Sequence, residues 1–321
     1  MKRFIICIIF CLLLLSGCNN EENIIHEYDN LKVNNNLQLS VEELSNDMLF
    51  ASDICVVPKS QKNSEDKVIT AGGALLINKT KQKCMFSKNI YDKMYPASIT
   101  KLVTTLVAIK HDCLDDTVTI SKNASHITES GASLCGFNQG DKVKMDVLIK
   151  SMLIHSGNDA ALAIAEHVSG SQKKFAEEMN ETVKSLGTVN TNFVNPHGLH
   201  NDKQYTTPYD LYLIMNEILK YDEIFDLFGL TKYTAAYYNS KNVVVSKNFK
   251  ATNKYMNGEV KAPGNFKVLG GKTGTTDKAG SCLIINLVNT KTKDDYIAIV
   301  LNAESSISLY KQMNQLISYA K

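Results

Sequence analysis

Short runs of apolar residues separated by polar turns occupy the C-terminal part of the sequence, a pattern typical of β-strands. Three such runs cover residues 269–274, 281–289 and 296–302. Two more, residues 71–77 and 82–87, are joined by a short polar segment and predict a β-hairpin. We therefore expect one sheet that is built from two distant parts of the chain.

Helical spacing of apolar residues is found in the middle of the chain and at its end. Residues 102–109, 145–154 and 158–166 each predict a helix, within a mostly helical region between about 102 and 230. Residues 306–320 predict a last helix that packs on the sheet. The apolar side of that helix consists of Ile307, Tyr310, Met313, Leu316 and Ile317. This order of strands and helices predicts the α/β (α+β) class.

The first residues have the pattern of an export signal. Lys2 and Arg3 are followed by an apolar segment, residues 4–15, which is too short to span a bilayer. We expect residues 1–17 to be a signal peptide.

A lipid attachment site follows the apolar segment. Residues 15–18 (Leu-Ser-Gly-Cys) resemble the lipobox of bacterial lipoproteins, which implies that Cys18 is lipid-modified and begins the mature chain. Residues 18–50 are rich in Asn and Glu and predict a flexible tether, so residues 51–321 form the folded domain. We expect an extracytoplasmic protein, anchored by lipid to the outer face of the cell membrane.

Charge and cysteine content exclude several classes of protein. Without Lys2 and Arg3 the chain carries 33 basic and 33 acidic residues, so no basic surface for nucleic acid is expected. Five cysteines remain after Cys18, namely Cys55, Cys84, Cys113, Cys135 and Cys282. Their odd number and spacing favour buried free thiols over disulfides or a zinc site. We expect no metal and no cofactor.

Three short motifs follow one another along the chain. They are residues 98–101 (Ser-Ile-Thr-Lys), 156–158 (Ser-Gly-Asn) and 272–274 (Lys-Thr-Gly). An S-x-x-K, an S-x-N type motif and a K-T-G in this order are the mark of penicillin-binding proteins and class A β-lactamases. Together they supply a nucleophile, a base and a group that binds an anion.

The first motif has the context that a nucleophile needs. Pro96 precedes it and an apolar helix follows, so Ser98 lies in the first turn and Lys101 one turn later on the same face. A serine hydroxyl needs a base, and Lys101 can serve only when it is neutral. Burial beside a second cation, Lys272, lowers the pKa of a lysine in the required direction.

On these motifs the chain resembles the low-molecular-weight penicillin-binding proteins that act as serine D-alanyl-D-alanine carboxypeptidases. The similarity extends from about residue 52 to the C-terminus and includes residues 195–199 and 205–210. We interpret His197, in the first of these two segments, as a residue that fixes a loop. The resemblance implies a β-lactamase/transpeptidase-like fold. In that fold an antiparallel sheet flanked by helices and a mostly helical lobe enclose the active site.

The resemblance also implies the substrate and the roles of the motif residues. Ser98 would attack the bond between the last two D-alanines of a peptidoglycan stem peptide, and β-lactams would acylate the same hydroxyl. The implied catalytic residues are Ser98, Lys101, Ser156 and Asn158. The implied substrate-binding residues are Lys272, Thr273, Gly274 and Thr275.

Other activities remain open at this point. A β-lactamase of class A uses an additional Glu in an E-x-x-x-N loop, and no such pattern lies between the second and third motifs. A DD-endopeptidase would use the same chemistry on cross-links. A non-catalytic β-lactam sensor or wall-binding lipoprotein is the alternative from a different class.

Overall fold

The computed structural model describes residues 53–61, 63–222 and 227–320. Its strands are β1 (Gly73–Asn78), β2 (Lys83–Lys88), β3 (Thr117–Thr119), β4 (Lys142–Lys144), β5 (Lys232–Tyr238), β6 (Val244–Lys250), β7 (Phe266–Thr276), β8 (Gly280–Asn289) and β9 (Asp295–Ala303). Its helices are α1 (Lys101–Lys110), α2 (Lys122–Ser125), α3 (Met145–His155), α4 (Asn158–Ser169), α5 (Gln172–Ser185), α6 (Pro208–Ile218) and α7 (Ser306–Ile317). The predicted signal peptide, Cys18 and the tether lie outside the described residues.

The larger sheet has the strand order β2-β1-β9-β8-β7, and every neighbouring pair is antiparallel. Strands β1, β8 and β9 are buried on both faces because successive side chains alternate between two apolar cores. One face packs on α6 and shares its core with α1, and the other packs on α7. The predicted hairpin, the three C-terminal strands and the fold class are confirmed.

Strand β7 carries the third motif and forms one edge of this sheet. On its inner side β7 pairs with β8. On its outer side β7 faces a short 3₁₀ helix, Ala97–Thr100, which leads into α1. The first motif therefore lies against the open edge of the sheet.

A second sheet, with the order β3-β4-β5-β6, was not predicted from the sequence. It covers α3 through β5 and β6. Strands β3 and β4 have three residues each, which is too short for a recognisable alternation of apolar and polar residues. The pairing of β4 with β5 joins parts of the chain that are distant in the sequence.

The last helix packs on the sheet as predicted, except at its first turn. Tyr310, Met313, Leu316 and Ile317 are buried, whereas Ile307 is 81% exposed. Inclusion of Ile307 in the apolar side was wrong, because the helix faces the sheet only from Leu309 onward.

The five cysteines of the described residues are free thiols, and all are buried except Cys84, which is half-buried. Within the same residues, no helix combines the length and apolar character that a bilayer span requires.

Candidate active site

A cleft of about 970 Å³ lies at the open edge of β7. Its lining includes Ser98, Ser156, Asn158 and residues 273–276. The structure thus brings all three motifs together, although they are far apart in the sequence. Cys18, the predicted lipid attachment residue, is outside the described residues.

The backbone around Ser98 is unusual. Ala97, directly before it, has a left-handed φ of 47° and is buried. Such a conformation is costly for a residue with a Cβ and is found where the surrounding structure holds it in place. Ser98 follows in the 3₁₀ helix and lines the cleft, while its neighbour Ile99 is buried in the core.

Lys101 is fully buried and its amine contacts three oxygen atoms. The Nζ atom lies 2.9 Å from Ser98 Oγ, 2.7 Å from Asn158 Oδ1 and 2.5 Å from the carbonyl oxygen of His197. Burial, and then the nearby Lys272, hold the pKa of Lys101 well below its usual range. A neutral amine has two N–H bonds, which suffice for Asn158 and His197, so its lone pair is left for the Ser98 hydroxyl.

The second motif forms the turn between α3 and α4. Ser156 follows the end of α3 in a left-handed conformation with φ 66°, a position that glycine usually occupies. Its Oγ accepts a hydrogen bond of 2.9 Å from Lys272 Nζ, which glycine could not do. A side chain at Gly157 would collide with the sulfur of Cys135, so only glycine fits between Ser156 and Asn158.

The third motif places a second buried amine in the site. Lys272 is 1% exposed, and its Nζ donates to Ser156 Oγ and to the carbonyl oxygen of Thr273, both at 2.9 Å. Burial lowers the pKa of Lys272 to about 7. At neutral pH this amine therefore exchanges readily between its charged and neutral forms.

Gly274 allows the edge of β7 to approach the first motif. A Cβ atom at this position would lie 2.9 Å from the backbone nitrogen of Ser98 and 2.9 Å from the carbonyl oxygen of Pro96. Because that space must stay empty, glycine is required here. The close approach brings the backbone of β7 next to the N–H of Ser98.

His197 contributes through its backbone rather than its ring. The carbonyl oxygen of His197 accepts from Lys101, and its buried Nδ1 accepts from the N–H of Leu199 at 3.2 Å. Burial, and then the nearby Lys101, lower the pKa of the imidazole to about 3, so the ring is neutral. These contacts agree with the predicted loop-fixing role.

Asp159 was missed by the sequence analysis, although it directly follows the second motif. Its buried carboxylate accepts hydrogen bonds from the backbone N–H groups of Cys135, Gly136 and Phe137 at 2.8, 2.7 and 3.2 Å. The N–H of Asn158 also donates to the carbonyl oxygen of Ser133, which lines the cleft. Asp159 thereby ties one wall of the cleft to the turn that carries the second motif.

Thr252 was also missed, because nothing in its sequence context indicates a site. It lines the cleft, and its Oγ1 lies 2.7 Å from Thr273 Oγ1. In the described residues, no group of three or more His, Cys, Asp or Glu side chains is arranged to hold a metal ion.

The cleft joins an S-x-x-K, an S-x-N type and a K-T-G motif, the combination typical of penicillin-binding proteins and class A β-lactamases. A family model described as D-alanyl-D-alanine carboxypeptidase (Peptidase_S11) matches residues 59–305. The chain belongs to this family.

Individual relatives support the same assignment. The chain is 31% identical to D-alanyl-D-alanine carboxypeptidase DacF of Bacillus subtilis over 264 residues, which are 81% of this chain and 64% of DacF. It is 30% identical to DacC of Escherichia coli over 270 residues, 81% of this chain and 63% of DacC. The chain thus spans less than two thirds of the length of these relatives.

A solved structure resembles most of the chain. The crystal structure of the Streptomyces K15 DD-transpeptidase matches with a TM-score of 0.72 and 26% sequence identity. The match covers 81% of this chain and 98% of the K15 chain.

Proposed function

We propose that this protein is a serine D-alanyl-D-alanine carboxypeptidase that removes the terminal D-alanine from peptidoglycan stem peptides. The observation that carries the proposal is the fully buried Lys101 amine, 2.9 Å from a serine hydroxyl at the bottom of an open cleft. Membership of the family and the names of the relatives support the same activity.

In the proposed first step, Lys101 acts as the base. An unperturbed lysine has a pKa of about 10.4, so only about one molecule in a few thousand would be neutral at pH 7. The lowered pKa of Lys101 increases that fraction greatly. Lys101 takes the proton of Ser98, and Ser98 Oγ forms a bond to the carbonyl carbon between the two D-alanines.

The tetrahedral intermediate carries an oxyanion that needs fixed donors. We assign this role to the backbone N–H groups of Ser98 and of Thr275, the residue that follows Gly274, where β7 lies against the N–H of Ser98. One such donor contributes about 3 kcal/mol to the stabilisation of a transition state. The C–N bond then breaks, and the leaving amine takes a proton through Ser156, which Lys272 contacts. Water finally hydrolyses the acyl-enzyme on Ser98.

Asn158 and the third motif complete the proposed machinery. Asn158 Oδ1 orients the amine of Lys101. Lys272 and Thr273 attract and hold the C-terminal carboxylate of the substrate, which explains a preference for a free C-terminus. A β-lactam mimics the same dipeptide and would acylate Ser98.

The decisive experiment measures D-alanine release from a peptide that ends in D-Ala-D-Ala, with the full-length protein and with Ser98→Ala. We expect release by the parent protein and none by the variant. Persistent release by Ser98→Ala would remove Ser98 as the nucleophile. Rapid turnover of penicillin without D-alanine release would favour a β-lactamase. Cleavage of cross-linked peptides would favour a DD-endopeptidase. Stable acylation by a β-lactam without any hydrolysis would favour a sensor.

We also propose that the protein is a lipoprotein, on the basis of the lipobox-like residues 15–18. In a bacterium that processes lipoproteins, the parent chain should sediment with membranes and Cys18→Ser should not be lipid-modified. Cys11→Ser, which changes a cysteine of the apolar segment, is the matched control and should behave like the parent. Lipid modification of Cys18→Ser would contradict the proposal.

A further inference from the structure

A C-terminal carboxylate needs hydrogen-bond donors in addition to a positive charge. The single arginine of the sequence is Arg3, so no guanidinium is available in the folded domain. Lys272 is buried and already donates to Ser156 Oγ and to the carbonyl oxygen of Thr273. Its charge can attract the carboxylate, but hydroxyl groups that face the cleft must supply further hydrogen bonds.

Thr252 and Thr273 present such hydroxyls as a pair. Their Oγ1 atoms are 2.7 Å apart, and both residues line the cleft. Thr252 is exposed to the cleft, yet its backbone is fixed, because its N–H donates to the carbonyl oxygen of Ile154 and both of its neighbours in sequence are buried. Ile154 lies near the end of α3, two residues before Ser156.

A hydroxyl has one O–H bond and can accept further hydrogen bonds. When Thr252 donates its O–H to Thr273 Oγ1, the O–H of Thr273 cannot point back and is directed elsewhere in the cleft. Acceptance of a hydrogen bond also polarises a hydroxyl and makes it a stronger donor. A carboxylate gains more from such a donor than a neutral amide does.

On the basis of the proposed carboxypeptidase function, we propose that Thr252 is a positioning residue for substrate recognition. It orients the Thr273 hydroxyl towards the C-terminal carboxylate and so favours free acids over blocked C-termini. Thr252 would act through Thr273, and Lys272 would supply the charge.

The test measures equilibrium binding in the Ser98→Ala background, where turnover does not interfere. The two probes are an acetylated peptide that ends in D-Ala-D-Ala and the same peptide with a C-terminal amide. The ratio of their dissociation constants reports recognition of the carboxylate. Thr252→Val keeps the side-chain shape and removes the hydroxyl, so we expect the preference for the acid to fall about tenfold.

Two further variants separate positioning from folding. Thr252→Ser restores the hydroxyl and should restore the preference. Thr234→Val removes an exposed hydroxyl of β5 that donates to Asn248 Oδ1, outside the lining of the cleft, and should leave the preference unchanged. An unchanged preference in Thr252→Val, or equal binding of acid and amide by the Ser98→Ala parent, would overturn the proposal. D-alanine release by the serine-intact protein would still support the carboxypeptidase function.

Discussion

The larger sheet and the cleft at its edge follow opposite rules of burial. Strands β8 and β9 bury almost only apolar side chains, with Leu283 and Ile299 fully enclosed. The cleft, a few residues away, buries the amines of Lys101 and Lys272 and the carboxylate of Asp159. It also contains left-handed φ angles at Ala97 and Ser156.

This difference shows that the sheet stabilises the fold, whereas the cleft lowers the stability of the fold and places reactive side chains together. Apolar burial in the sheet lowers the free energy of the folded state. Buried amines and left-handed alanine or serine residues raise it. The cleft can keep its unfavourable arrangement because the strands and helices around it bury a large apolar core.

The largest expected effect separates the two regions directly. Lys101→Met removes the proposed base and should lower kcat/KM for the proposed D-alanine release about 10³-fold or more, while cooperative unfolding persists. Leu283→Ala opens a cavity beneath α7 and should lower the free energy of unfolding by about 2–5 kcal/mol, with normal activity in the folded fraction. Urea unfolding and D-alanine release check both variants. Wild-type activity in Lys101→Met would contradict the assignment of the base.

The second effect concerns the left-handed turn at Ser156. Ser156→Gly suits the backbone, so the free energy of unfolding should stay the same or rise by up to about 1 kcal/mol. The variant loses the hydroxyl that Lys272 contacts, and kcat/KM should fall about 10²-fold. Lys293→Gly is the matched control, because Lys293 is exposed and also left-handed, with φ 65°. The control should change stability alone. A loss of activity in both variants would instead indicate a general effect of glycine.

The sequence was sufficient for features that depend on local pattern. The apolar runs of the C-terminal strands, the place of Lys101 one turn after Ser98, and the K-T-G motif are each visible in neighbouring residues. The turn residues 156–158 between two apolar helices were recognised in the same way.

Features that depend on tertiary contacts were not predicted. The carbonyl oxygen of His197 reaches Lys101 only through a loop almost a hundred positions away. Thr252 gains its place in the cleft from a backbone hydrogen bond to α3. The sequence places Asp159 in a predicted helix and does not indicate its hydrogen bonds. The three backbone N–H groups that donate to Asp159 belong to a loop more than twenty positions earlier in the sequence. Exposed Ile307 shows the converse, since helical spacing alone does not say which turn touches the sheet.

The third prediction addresses the buried carboxylate. Asp159→Asn presents an amide N–H₂ to backbone N–H groups and removes a negative charge that raises the pKa of Lys101. We expect kcat/KM to fall roughly tenfold and the acid limb of its pH profile to move to lower pH.

Asp141→Asn is the matched control for this variant. Asp141 is also buried and holds the same loop, through the N–H of Asn138 at 2.8 Å, whereas the carboxylate that raises the pKa of Lys101 is that of Asp159. This variant should leave the acid limb in place. A shift of equal size in both variants would show that loop disorder, and not the charge of Asp159, moves the profile.

The last prediction is a gradual change of the free energy of unfolding with pH. Lys272 has a pKa of about 7 in the folded protein and about 10.4 when unfolded, so between these values the unfolded chain binds the extra proton. Stability therefore rises with pH in this window, by about 1.4 kcal/mol per pH unit from Lys272 alone, and the lowered pKa of Lys101 acts in the same direction. Urea unfolding at pH 7, 8 and 9 measures the slope. Lys272→Met should reduce the slope by about 1.4 kcal/mol per pH unit and leave the part that Lys101 contributes, and Lys261→Met, at an exposed position, should not change the slope. A slope as steep in Lys272→Met as in the parent would show that the buried amine of β7 does not titrate in this range.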